Sequence, residues 1–382
     1  MRMIPLLLAA AITLTACGTT RAATPRPAVP APVKVAAPLV VTYDGGLYVI
    51  DGERLSVARD IRLPGFNRVN PAGDDRHVLV STATGFRVLD AGSALLKDDE
   101  FKGAEPGHVV RHAGRTVLFS DGTGQVTIFD PARLAEGLPE GEVYTAAAPH
   151  HGVAIRLQGG ELVVTVGTQE SRTGIVVLDA SRKEIARNED CPGVHGEATA
   201  QGEAVVVGCE DGVLLYRQGR ITKVKSPDAY GRIGNQAGSD ASPIVLGDYK
   251  KDPDAELERP RQVSLIDTAT GRLRLVKLDA SYTFRSLARG PRGEALVLGT
   301  DGHLHVIDPV KGKVTRRIAV TGPWEEPMEW QRPRPAVFVR DRLAYVSDPA
   351  TRRLHEVDIE AGRTLRTVTL PQPPNELSGV AS

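Results

Sequence analysis

From Leu39 onward the chain is a succession of short apolar runs separated by Asp-Gly, Thr-Gly, Ala-Gly and Lys-Gly turns. Short runs rich in β-branched residues and bounded by such turns predict strands joined as hairpins. One unit recurs: a turn, a β-rich run, then aspartate. Its copies are "DGGLYVID" to Asp51, "ATGFRVLD" to Asp90, "GTGQVTIFD" to Asp130 and "RTGIVVLD" to Asp179. They continue with "EDGVLLY" to Tyr216, "PRQVSLID" to Asp267, "DGHLHVID" to Asp308 and "RRLHEVD" to Asp358. The spacings are 39, 40, 49, 37, 51, 41 and 50 residues. Another β run precedes each copy, and a turn and a further run follow several, as in "DPVKGKVTRRIAV".

Four antiparallel strands repeated at this period predict an all-β propeller, of eight blades with seven as the alternative. Helical periods are absent, since the one helix-like stretch, "PARLAEGLPEG", is broken by proline and glycine. The first blade, Leu39 to about Leu63, is one strand short. The tail "NELSGVAS" is expected to fill it, so that no sheet edge stays open.

The first residues follow a different pattern. Arg2 precedes "IPLLLAAAITL", which is too short to span a bilayer as a helix and reads as a secretion signal. The "LTAC" stretch, Leu14 to Cys17, resembles a bacterial lipobox, in which the cysteine carries the lipid. Residues 1–17 are therefore expected to be a lipoprotein signal and residues 18–38, rich in Pro, Ala and Thr, a disordered linker. The propeller is expected over 39–382. The location this implies is extracytoplasmic, on the outer face of the cell membrane or in the periplasm, with the lipid as the only membrane contact.

Lys+Arg and Asp+Glu both number 47, so the chain is neutral and nothing in its charge calls for nucleic acid. With Cys17 spent on lipid, Cys191 and Cys209 remain. In an oxidising compartment they are expected to pair, across a hairpin made of "HGEATA" and "EAVVVG".

Innermost strands of a propeller converge on one channel, so residues far apart in sequence meet at its mouth. His108 stands at the start of an inner strand in "EPGHVVRH". His150 and His151 do so in "APHHGVAIRL", and His195 in "CPGVHGEA". These are three consecutive blades. Imidazoles with a carboxylate are ordinary zinc ligands, and Glu197 follows His195 on the same face of its strand. Neighbours on a strand point apart, so His150 and His151 do not both ligate one ion; His151 is favoured. The bland alternative is a set of exposed or backbone-bonded histidines, because no CxxC or HExxH motif is present.

Other features carry less weight. His112 lies near a turn and is expected to be peripheral, His303 and His305 share a face of a third strand as a solvated pair or a blade-surface metal pair, and His77 and His355 stand alone. The segment 248–262 is a charged insertion. "GPWEEPMEWQRPRP" is a packing loop, or a lid offering Glu325, Glu326 or Glu329 to a cation. No GxSxG elbow, P-loop or dinucleotide fingerprint is present.

Taken together, "PGHVVRH", "PHHGVA" and "CPGVHGEA…VVVGCEDG" on a secreted propeller resemble the zinc metallochaperones of the AztD type. The resemblance implies a protein that binds zinc and delivers it to the solute-binding protein of an ABC importer, and the chain is expected to be a monomer. It implies His108, His151 and His195 as ligands, with His150 and Glu197 as further candidates. Such chaperones can carry a His- or acid-rich mobile segment near the N-terminus; the linker here has no histidine. Two other readings stand beside it. One is a metal-assisted, lactonase-like hydrolase with Glu197 as base, and the other a non-catalytic interaction propeller.

Overall fold

The structure, a computed structural model, describes residues 30–381. The signal segment and Cys17 lie outside the described residues. The described residues form eight four-stranded antiparallel sheets arranged as the blades of a propeller. Blade two spans residues 68–102, blade three 106–145 and blade four 154–188. Blades five to eight span 195–225, 236–277, 287–319 and 337–369. Blade one takes Leu39–Tyr43, Gly46–Asp51 and Ser56–Arg62 from the start of the chain. Its innermost strand is Leu377–Gly379, paired antiparallel through Leu39↔Gly379 and Val41↔Leu377. The tail thus closes the ring, as its sequence suggested.

The recurring aspartate has a local cause. In seven blades its Oδ1 accepts a backbone N–H two or three residues further on, shaping the turn into the outer strand. Blade five has Tyr216 instead and needs no such turn. There Arg217 pairs with Arg220 across Gln218 and Gly219, whose φ values of 50° and 78° make a two-residue hairpin. The helix-like stretch is reduced to one 3-10 turn, Pro131–Glu136, capped by Asp130.

The middle strands of each blade are buried on both faces and pack against neighbouring blades. Val163 and Val177 of blade four share one cluster with Val117 and Val126 of blade three and Val207 and Leu214 of blade five. Full burial of such a side chain stabilises the fold by about 1.5–3 kcal/mol. Outer strands such as Arg363–Thr369 alternate with exposed positions and need only one apolar face.

Two ends of the channel follow from this layout. The loops leading into each inner strand, and the turns between second and third strands, lie at the upper end. The remaining hairpin turns lie at the lower end. Ordered contact begins before Leu39: the Val33 and Val35 N–H groups donate to the carbonyls of Ser93 and Gly92, at 3.0 and 2.9 Å. Those acceptors are in a lower turn of blade two.

Candidate metal centre

The residues around the mouth are set by two irregular strands. The inner strand of blade three, Pro106–His112, breaks register between Pro106 and Val109, and His108 sits in the break. That of blade five, His195–Ala200, breaks register between His195 and Glu197. Gly196 fills this second bulge with φ +70°. Bulges re-aim side chains and recur beside functional sites. Half-buried and buried positions still alternate from His195 to Ala200, so Glu197 faces the channel with His195.

The inner strand of blade four begins only at Ala154, leaving His150 and His151 in the loop before it. They diverge there. His150 is 1% exposed, with Nδ1 2.8 Å from the Ala148 carbonyl and Nε2 2.9 Å from Thr165 Oγ1. Both nitrogens are engaged in the core, so its candidacy as a ligand is corrected.

His108, His151 and His195 form a group whose potential ligand atoms all lie within 4.8 Å of one another. Ring centroids are 5.2 Å apart for His108 and His151, 5.7 Å for His108 and His195, and 5.0 Å for His151 and His195. Each ring has a second partner on Nδ1. His108 Nδ1 lies 3.2 Å from Glu197 Oε2, and His151 Nδ1 lies 2.5 Å from Asp121 Oδ2. His195 Nδ1 lies 2.5 Å from the Gly234 carbonyl. Carbonyls and carboxylate oxygens accept, so each Nδ1 is placed to donate, and in the neutral ring Nε2 then offers its lone pair. This is how metal-bound imidazoles are commonly oriented. Glu197 accordingly stands as a partner of His108.

One distance decides what the group wants. His151 Nε2 and His195 Nε2 are 3.0 Å apart. Two lone pairs at that separation repel unless a proton or a metal cation sits between them. Protein surrounds His195 closely, and this desolvation, with His108 beside it, pushes its pKa well below the ordinary 6.5. It therefore stays neutral, the form that binds metal. A polar cavity of about 300 Å³ adjoins Glu197 and is lined by Arg111, Thr199, Gln236 and Asp240, among others.

Cys191 and Cys209 form a disulfide, both sulfurs buried. It ties the segment leading to His195 to the strand whose Gly208 pairs with that histidine. Asp121 and the Gly234 carbonyl carry no mark in the sequence that singles them out.

The remaining candidates are structural. His112 Nε2 bonds Glu203 at 2.7 Å, linking blade three to blade five. His305, expected to be solvated, is fully buried with Nε2 3.1 Å from both oxygens of Asp301. His77, expected to stand alone, is buried against Asp74 at 2.6 Å. In the Trp324 loop, Glu326 pairs with Arg334 at 2.7 Å, Glu325 with Arg259 at 3.1 Å and Glu329 with Arg332 at 3.1 Å. These pairs hold a packing loop together.

The buried histidines make a prediction about acid. Desolvation lowers the pKa of His150, His195 and His355 from 6.5. The unfolded chain then binds protons more tightly than the folded one. Their contribution is complete above about pH 6.5 and is lost as pH falls below it toward their folded values. Metal-free protein is expected to melt at least about 2 °C lower at pH 5.5 than at pH 7.5. Scanning calorimetry with a chelator present measures this, and His355→Gln should flatten the slope.

No protein-family model matches the chain. Among curated proteins, the zinc chaperone AztD of Citrobacter koseri is 25% identical over 302 residues, covering 76% of this chain and 69% of the relative. The chain resembles AztD. Two solved structures of AztD from the same organism, one of them of the apo protein, match at TM-scores of 0.77 and 0.76. Each is 22% identical, with 90% of this chain and 96% of AztD covered. AztD and this chain therefore share the propeller fold, as the resemblance read from the sequence implied.

Proposed function

We propose that the protein is an extracytoplasmic zinc metallochaperone, with His108, His151 and His195 as the ligands of its cargo ion. The observation that carries this reading is the 3.0 Å approach of two imidazole Nε2 atoms whose Nδ1 atoms both face acceptors. The zinc-chaperone name of the relative supports it. Three neutral imidazoles suit zinc and leave a coordination position open. Glu197, Asp121 and the Gly234 carbonyl hold the ring protons on Nδ1 and so keep the Nε2 lone pairs in place.

Transfer needs a ligand that yields. The His151 side chain is 41% exposed, against 22% for His108, and it comes from a loop where the other two come from strands. Its imidazole is the one an incoming ligand displaces first. The recipient in this reading is the solute-binding protein of a zinc ABC importer. The chaperone works as a monomer, tethered by lipid on Cys17 to the outer face of the membrane or held in the periplasm. Among the described residues no helix is long and apolar enough to cross a membrane.

Zinc titration of metal-free protein against a chromophoric chelator tests the reading. It is expected to give one tight site per chain, and the zinc-loaded protein is expected to pass its ion to the recipient faster than to buffer. Absence of tight uptake sinks the proposal.

A further inference from the structure

His108 and His151 each rest against a carboxylate, whereas His195 rests against a peptide carbonyl. That peptide group is itself held. Its C=O belongs to Gly234 and its N–H to Asn235, and this N–H donates to Asp248 Oδ1 at 3.0 Å. The same oxygen accepts the Gly234 N–H at 2.6 Å, and Asp248 Oδ2 accepts Asn235 Nδ2 at 2.9 Å. The Asp248 N–H returns to the Asn235 carbonyl at 2.9 Å. Asp248 is 3% exposed, directly after the second strand of blade six, Ile244–Gly247. Burial raises its pKa, and the three N–H donors work against that rise. Three donors spread over two oxygens match an ionised carboxylate, which only accepts.

We propose that Asp248 is the third carboxylate of the metal centre, a positioning residue that acts on His195 through the Gly234–Asn235 peptide group. This rests on the metal-binding role proposed for the three histidines. A carboxylate at the N–H end of a peptide polarises it and strengthens the acceptor at its C=O end. The stronger acceptor keeps the His195 proton on Nδ1 and makes Nε2 a better donor to a cation. The multiple hold also stops the peptide from turning over, which would set an N–H against Nδ1. Each histidine of the cluster then has its own carboxylate, two directly and one by relay.

The arrangement draws the charged insertion of blade six into the centre. Lys250, two residues after Asp248, exchanges backbone hydrogen bonds with Arg232 at 2.9 Å in both directions. The segment carrying Gly234 is thus bound to the insertion at its root.

Two variants test the assignment, each read by imidazole ¹⁵N NMR on metal-free protein and by zinc competition. In the parent, His195 is expected as the Nδ1–H tautomer. Asp248→Ala is expected to mix the tautomers and weaken zinc binding about tenfold, the low end for an outer partner of a ligand. In Asp248→Asn the Asn235 amide turns over to keep the contacts while the charge is lost, and binding weakens roughly threefold. A purely structural Asp248 lowers the melting temperature of both variants but leaves tautomer and affinity at parent values, and that result overturns the proposal. If Asp248→Ala does not fold, Asp248→Asn decides by the same two readings. If the parent takes up no zinc, the reading of the cluster fails, while the tautomer comparison still decides the role of Asp248.

Discussion

His151→Ala is expected to cost about 60- to 700-fold in zinc affinity. Zinc bound by four protein ligands is worth about 10–16 kcal/mol, so one ligand carries roughly a quarter of that, and each 1.4 kcal/mol is tenfold. The stability of the metal-free variant should change little, because the side chain is 41% exposed and stands in a loop. The adjacent residue gives the opposite result. His150 is buried, and its ring contacts Phe119 with centroids 5.1 Å apart as well as bonding Thr165. His150→Ala opens a cavity, although Thr165 Oγ1 keeps its bonds to the Val153 N–H and carbonyl, and destabilises the fold by about 2–4 kcal/mol. Its zinc affinity should stay near that of the parent. Zinc competition and denaturant melts on both variants separate a ligand from a core residue. Parent-like affinity in His151→Ala would remove that histidine from the site.

Gly196→Ala is expected to damage fold and site together. A Cβ at this position would lie 2.3 Å from Gln236 Oε1 and 2.5 Å from the Gly234 carbonyl oxygen. The backbone there has φ +70°, which costs a non-glycine residue about 1–2 kcal/mol. Displacing packed neighbours adds about 1–3 kcal/mol. The displaced carbonyl is the one that holds His195, so zinc affinity should fall as well, by about tenfold. Gly202→Ala is the control. Its φ is +75° but nothing lies within 4 Å of the added Cβ. It should show the backbone cost alone and bind zinc normally. Equal zinc affinity in the two variants would show that the Gly196 bulge does not aim the ligand.

The propeller was legible because its repeat is written in local chemistry. An aspartate that caps its own turn leaves the same mark wherever the turn occurs, and seven blades carry it. Even the exception at Tyr216 is explained locally, by Gln218 and Gly219. The three clustered histidines were legible for a related reason, since leading positions of successive inner strands must converge. Their supports were hidden. His151 meets Asp121 across 30 residues, and His195 meets Gly234 across 39. Asp121 stands in an Asp-Gly turn that resembles turns in other blades with no such role. Sequence spacing also missed the partner of His77 and misjudged the burial of His305. Each has a nearby aspartate, Asp74 or Asp301, that satisfies one ring nitrogen and lets the ring enter the core.

The early attachment of residues 33–38 makes the two ends of the ring unlike each other. Val33 and Val35 run along the lower turns of the ring, while the three imidazoles open at the opposite end. The lower turns of blade two are therefore covered by the chain's own backbone. A partner approaching the three imidazoles comes in over the end of the ring that residues 33–35 do not cover.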